Sequence, residues 1–313
     1  MPIPQPLAQV ARGFAMGAAD IVPGVSGGTV ALVVGIYDRL IENVSTGAGA
    51  LRSLVTGDVA GFTRHLRSVE WVWLLSLLAG IFVAVAALAS VLERLLSENP
   101  VEMGGLFFGL VVASAIVAFR LLARVDATAV ALMVGSALAL FLLLGLRTDT
   151  QAESLGAEVA TVPAWAFFLA GAVAICALIL PGISGSFILV MLGMYLEVLG
   201  AVNEREIVLL GVFLVGAVLG LAVFSTLLNW LLERYRDWVL AAMIGLMAGS
   251  LRVLWPWPGG VNSTTLALPA GPLLVPVLLA IVGFVVVLGI ELGSKRLAGT
   301  SEETADPEVT HPL

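Results

Sequence analysis

The chain predicts an all-α integral membrane fold with an inverted-topology repeat, each half a re-entrant helical hairpin plus three transmembrane helices. Three observations predict it. Hydrophobic residues are 60 % of 313 and charged residues 12 %, with mean hydropathy +1.07, against about half and a quarter in soluble proteins. A helix-breaking motif occurs twice, Pro23-Gly24-Val25-Ser26-Gly27-Gly28 and, 158 residues later, Pro181-Gly182-Ile183-Ser184-Gly185-Ser186. Three uninterrupted apolar stretches, an odd number, separate the copies.

The first hairpin is expected over residues 7–43, with limbs Leu7–Val22 and Thr29–Asn43. Limbs of about 15–18 residues reach roughly 22–27 Å, short of the ~30 Å of hydrocarbon. A hairpin with the motif at its tip fits; two tilted short spans are the alternative. Proline and paired glycines break a membrane helix, and broken backbone survives there only where it is buried in protein or lines a cavity. Residues 45–70 read as a polar loop. Trp71–Leu92, Met103–Ala123 and Ala127–Leu146 follow as spans, completing a first repeat over 1–147.

The second repeat, 148–296, opens with acids between Asp149 and Glu158. Its hairpin, 163–200, has limbs Pro163–Leu180 and Phe187–Gly200. Its spans are Ile207–Leu231, Trp238–Leu254 and Pro272–Leu292. The acidic tail, 297–313, reads as disordered. Both motifs run on into Gly-x-Tyr, as Gly35-Ile36-Tyr37 and Gly193-Met194-Tyr195. A second alignment places Gly80 on Gly216, Gly109 on Gly245 and Ser114 on Ser250, at an offset of 136.

Three spans between the hairpins make the second enter from the opposite face, which is an inverted repeat. Basic residues orient it. The face of the N-terminus carries Arg12, Arg39, Arg52, Arg64, Arg67, Arg120, Arg124, Arg234, Arg236, Lys295 and Arg296. The other carries Arg94, Arg147, Arg205 and Arg252. Eleven against four puts both termini in the cytoplasm. The N-terminal residues lack the basic start and cleavage site of a removable signal peptide.

A lone cysteine, Cys176, and the histidines His65 and His311 have no metal-site spacing, so no metal and no cofactor are expected. Nor is a nucleic-acid partner. Oligomeric state is left open.

Paired Gly/Pro-interrupted segments in two halves point to a transporter's binding site. Backbone N–H groups opening the outgoing limbs, with the hydroxyls beside them, suit an anion. Ser26, Gly27, Gly28 and Thr29, with Ser184, Gly185 and Ser186, are therefore the candidate phosphate-binding residues. Asp20, three residues before Pro23, is an acid at membrane depth and a candidate proton or sodium site; capping the tip is its other reading. Arg12, Arg39, Arg120 and Arg252 lie near limb or helix ends and are candidates for attracting phosphate, with interfacial snorkelling as the alternative.

The run Met16-Gly17-Ala18-Ala19-Asp20-Ile21-Val22-Pro23-Gly24-Val25-Ser26-Gly27-Gly28-Thr29, with Gly35-Ile36-Tyr37 and the second copy from Leu180 to Ser186, resembles the signature of a prokaryotic membrane family. That family was long a domain of unknown function and is now assigned to polyprenyl-phosphate translocation. The resemblance implies a flippase that recycles undecaprenyl phosphate, or a dolichyl-type phosphate, across the cytoplasmic membrane. The competing functions are a transporter of a small anion or other solute and a polyprenyl-pyrophosphate phosphatase. The phosphatases carry a Pro-Gly-x-Ser-Arg-Ser-Gly loop, and Gly27 and Gly185 stand here where that arginine would be. Phosphoryl transfer needs such a cation, so an enzyme is not expected.

Overall fold

The computed structural model describes residues 5–21, 26–146, 162–263, 265–271 and 273–303, and every regular element among them is helical. The first half contains α1 (Gln5–Asp20), α2 (Gly27–Val33), α3 (Tyr37–Val55), α4 (Val59–Ser68), α5 (Trp71–Glu98), α6 (Pro100–Phe119) and α7 (Ala127–Gly145). The second contains α8 (Ala164–Ile179), α9 (Gly185–Met191), α10 (Tyr195–Asn203), α11 (Ile207–Leu254) and α12 (Leu274–Glu303). Five of these, α5, α6, α7, α11 and α12, are long and apolar enough to cross a membrane. Large apolar side chains such as Phe82, Leu142, Leu214 and Val223 stand exposed along them, as lipid contact allows.

The chain departs from the expected layout in three places. Each outgoing limb is two helices. Gly35 ends α2 and Gly193 ends α9, both at positive φ (72° and 67°), where glycine alone pays no steric penalty. The turns have the same hydrogen bonds. Ile36 N–H reaches Ala31 O at 2.9 Å and Gly35 N–H reaches Leu32 O at 3.2 Å; Met194 reaches Leu189 at 2.8 Å and Gly193 reaches Val190 at 3.0 Å. This is the Schellman pattern of helix ends, and it turns the recurrent Gly-x-Tyr into a corner.

The second departure is at 45–70, expected as a polar loop. There α3 continues to Val55, and α4 follows with Asp58 capping it through Gly61 N–H at 2.8 Å. The expected spans Ile207–Leu231 and Trp238–Leu254 are both helical and are joined end to end. The two limbs of α11 meet at a kink at Tyr235, whose φ of −135° and ψ of 41° are not helical. Tyr235 stacks on Trp238 with ring centroids 5.1 Å apart. Arg236 pairs with Asp38 at 2.6 Å, and Asp237 accepts from Ala123 N–H and Arg124 N–H. These contacts brace the kink against α3 and the α6–α7 corner. Third, helix α12 extends to Glu303, into the stretch read as a disordered tail; residues 304–313, the acids from Asp149 to Glu158 and Arg147 lie outside the described residues.

Glycine sets the packing. A Cβ on Gly13 would lie 2.0 Å from Leu77 O and one on Gly80 2.1 Å from Val10 O, so α1 and α5 touch backbone to backbone. In the other half a Cβ on Gly171 would lie 2.1 Å from Phe213 O and one on Gly216 2.0 Å from Phe168 O, joining α8 to α11. Small residues permit such approach, and it is what drives helix association in lipid. Helix α6 packs on α12, and α7 on the limb of α11 beyond Tyr235. The core lies where the halves meet. Ala31 and Leu32 of α2 are buried in it with Tyr37, Phe107, Leu228, Met243 and Met247.

Candidate functional site

Residues 22–25 of the first motif lie outside the described residues; Ser26 to Thr29 do not. Ser26 is extended (φ −133°, ψ 140°) and caps α2, its Oγ accepting from Gly28 N–H at 3.1 Å. Serine is among the best residues for this role because its short side chain reaches an N–H that the helix itself leaves unpaired. Ser184 is extended in the same way before α9 (φ −101°, ψ 135°), and Gly185 and Ser186 form the first turn of that helix.

The first tip bears on the end of α8, immediately before the second motif. Ser26 Oγ donates to Leu178 O at 3.2 Å and Tyr37 Oη donates to Ile179 O at 3.2 Å. A Cβ on Gly28 would lie 2.5 Å from Ile179 O. Leu178 is the residue that aligns with Asp20. The second motif itself packs on α11: Pro181 is fully buried, and a Cβ on Gly182 would lie 2.8 Å from Met247 backbone.

The donors of the first tip are engaged. Asp20 Oδ1 accepts from Gly27 N–H at 2.6 Å, Ser26 Oγ from Gly28 N–H, and Ser26 O from Thr29 N–H at 2.9 Å. The Asp20 carboxylate thus occupies the place at the start of α2 where an external anion would sit. Thr29 Oγ1 differs: it is buried, with the residue 2 % exposed, and has no hydrogen-bond partner among the described residues.

The four arginines do not converge on the tip. Arg39 pairs with Glu70 and lies over the Trp73 ring, 5.0 Å from its centroid. Arg120 pairs with Glu291 at 3.2 Å. Arg252 lies over Phe141 at 4.6 Å. Arg12 donates to the buried Gln9 at 3.3 Å and has no carboxylate within ion-pair distance among the described residues. Arg12 lines an apolar cavity that Thr29 also lines.

Sequence reasoning missed three participants. Tyr37 recurs in the Gly-x-Tyr signal, but only the fold reveals that it bonds across the halves. Glu291, 3 % exposed, is a lone acid in the last apolar stretch, a signal visible in the sequence. Gln9 carries none. Among the described residues no cluster of His, Cys, Asp and Glu could hold a metal.

The chain matches the undecaprenyl phosphate translocase-like family over residues 16–268. It is 40 % identical over 247 residues to a polyprenyl-phosphate transporter of Vibrio cholerae serotype O1, covering 79 % of this chain and 76 % of that one. It is 28 % identical over 260 residues to a polyprenyl-phosphate transporter of Staphylococcus aureus, covering 79 % and 85 %. No solved structure matches it.

Proposed function

The chain belongs to the undecaprenyl phosphate translocase-like family, and from that membership we propose that it is a flippase recycling a polyprenyl phosphate carrier across the cytoplasmic membrane. The observation that carries this reading is the match over 16–268, which takes in both motifs. The relatives are named as transporters, not enzymes, and in this reading the phosphate crosses with no bond broken.

The proposed architecture is two inverted repeats, each a re-entrant hairpin with three spans, and both termini cytoplasmic. Matched features support it. Gly13 and Gly171 make equivalent backbone contacts at the motif offset, and so do Gly80 and Gly216 at the second offset. The corners at Gly35 and Gly193 share their hydrogen bonds.

The proposed mechanism is alternating access around the two tips. The prenyl chain stays in lipid while the charged head follows a protein-lined path, since carrying an anion through hydrocarbon unaided costs many kcal/mol. Ser26, Gly27, Gly28 and Thr29 would meet the phosphate from one half, and Ser184, Gly185 and Ser186 from the other. In this account Asp20 couples transport to a proton or sodium ion. Its carboxylate holds the N–H of Gly27; neutralising or displacing it frees that donor for phosphate, so ion and substrate compete through one group.

The test is transport by reconstituted variants. Gly27→Val and Gly185→Val should insert and fold but lose transport. Asp20→Asn should exchange at equilibrium but lose its response to a proton or sodium gradient. Normal transport by both valine variants rejects the cradle, and gradient-driven transport by Asp20→Asn at the wild-type rate rejects the coupling.

A further inference from the structure

The cavity beside the first tip has a volume of about 510 Å³, within the ~300–1,000 Å³ of sites that hold small organic ligands. It runs along the face of α1 bearing Ala11, Ala15, Ala18 and Ala19, and is closed by α2, α5, α6 and α12. Alanines at this spacing fall on one side of a helix, and their missing bulk makes the room. Ala11 and Ile290, which line it, are exposed, so the groove is open to the protein surface.

Its lining is apolar but for three residues. Ser114 spends its hydroxyl on Leu110 O at 2.8 Å. Arg12 is another, and the third is Thr29 of α2, whose hydroxyl has no partner among the described residues. From Arg12 to Ala19 the α1 wall runs about 10 Å at 1.5 Å per residue.

Arg12 determines what fits. It is half-buried, its one hydrogen-bond acceptor among the described residues is neutral Gln9, and it lies near enough to Arg39 for the two charges to repel. The carboxylate of Glu70 is taken by Arg39, and none of the ion pairs among the described residues involves Arg12. A cation so placed binds an anion more strongly than one in water would. A soluble anion would leave the apolar length unused, and a neutral hydrocarbon would leave the guanidinium unused. A chain carrying one phosphate at its end uses both.

We propose that this groove seats polyprenyl phosphate, with the phosphate on Arg12 and the first isoprene units lying along α1 toward Thr29. The proposal rests on the carrier-lipid reading above and adds to it a docking site distinct from the tips. Thr29 belongs to both tip and groove, so the head passes between the two along one wall. The volume holds the head-proximal units only; the rest of the chain leaves through the open side.

The test uses the full chain in nanodiscs and a polyprenyl phosphate carrying a diazirine in its second isoprene unit. Saturable labelling should fall on α1, α2 and α6. Arg12→Gln should lower it at least fivefold, with Arg12→Lys recovering part. Ala15→Leu, which fills the groove and leaves its charge alone, should also lower it at least fivefold. Saturable labelling confined to helices outside the groove overturns the proposal while sparing the carrier reading, and this arm needs no variant to fold. Labelling of Arg12→Gln and Ala15→Leu at the wild-type level overturns it too. Equal competition by phosphatidic acid assigns the groove to ordinary phospholipid and overturns it. Absence of any saturable binding by the wild type removes the carrier reading as well.

Discussion

Ser26→Ala tests the junction on which both motifs depend. Ser26 is 1 % exposed, and its hydroxyl makes two bonds: it accepts from Gly28 N–H and donates to Leu178 O across the halves. Loss of a serine cap costs about 1 kcal/mol. An interhelical hydrogen bond in a membrane protein contributes ~0.6 kcal/mol on average and ~1.7 at most. The two losses together come to about 2 kcal/mol. Tyr37→Phe removes a single bond, to Ile179 O, and should cost ~0.6–1.7 kcal/mol. Leu178 and Ile179 are adjacent, so the double variant should show coupling of at least ~0.5 kcal/mol. The assay is equilibrium unfolding in mixed micelles followed by helix content, with the wild type alongside. Ser26→Ala within ~0.5 kcal/mol of wild type, or less costly than Tyr37→Phe, would refute the reasoning.

Two further predictions concern packing and topology. Gly216→Ala places a methyl 2.0 Å from Phe168 O and must push α8 off α11, costing at least ~1–3 kcal/mol; Gly135→Ala meets open space and should be neutral or stabilising by up to ~1 kcal/mol through helix propensity. Equal unfolding midpoints for the two variants would contradict the packing. Cysteines at the exposed Thr56 and at Leu268, 87 % exposed, in a Cys176→Ala background, should react with impermeant reagents from opposite faces of the membrane, and reaction from one face would reject the inverted topology.

Much of the helix content was legible because a long apolar run in a membrane has few alternatives to a helix. Trp71, Ala127 and Ile207 were placed correctly as helix starts for that reason. The corners at Gly35 and Gly193 were visible as repeated letters, but a single glycine does not reveal a Schellman turn until the bonds around it are seen. The two spans on either side of Tyr235 were legible, but not the kink that joins them directly; it is held by Arg236 and Asp237, which find partners on other elements. At the site, the sequence pointed to Ser26 and Asp20 by residue type. Capping of the tip was one of the two sequence readings of Asp20, and the fold has that carboxylate on Gly27 N–H; what the sequence did not reveal is that Ser26 and Tyr37 reach successive carbonyls of α8. The bonds to α8 join residues more than 140 apart, which no local pattern encodes. The apolar groove is likewise a product of five helices. The alanines of α1 read as ordinary helix formers until α2 and α12 leave space beside them.

The central claim is movement of an intact lipid phosphate. Proteoliposomes containing the full chain and a head-labelled polyprenyl phosphate, assayed at once for leaflet accessibility and for inorganic phosphate, measure it directly. The account predicts protein-dependent exchange of the head between leaflets with no phosphate released. Phosphate release in step with exchange, or exchange no faster than in protein-free vesicles, would contradict it.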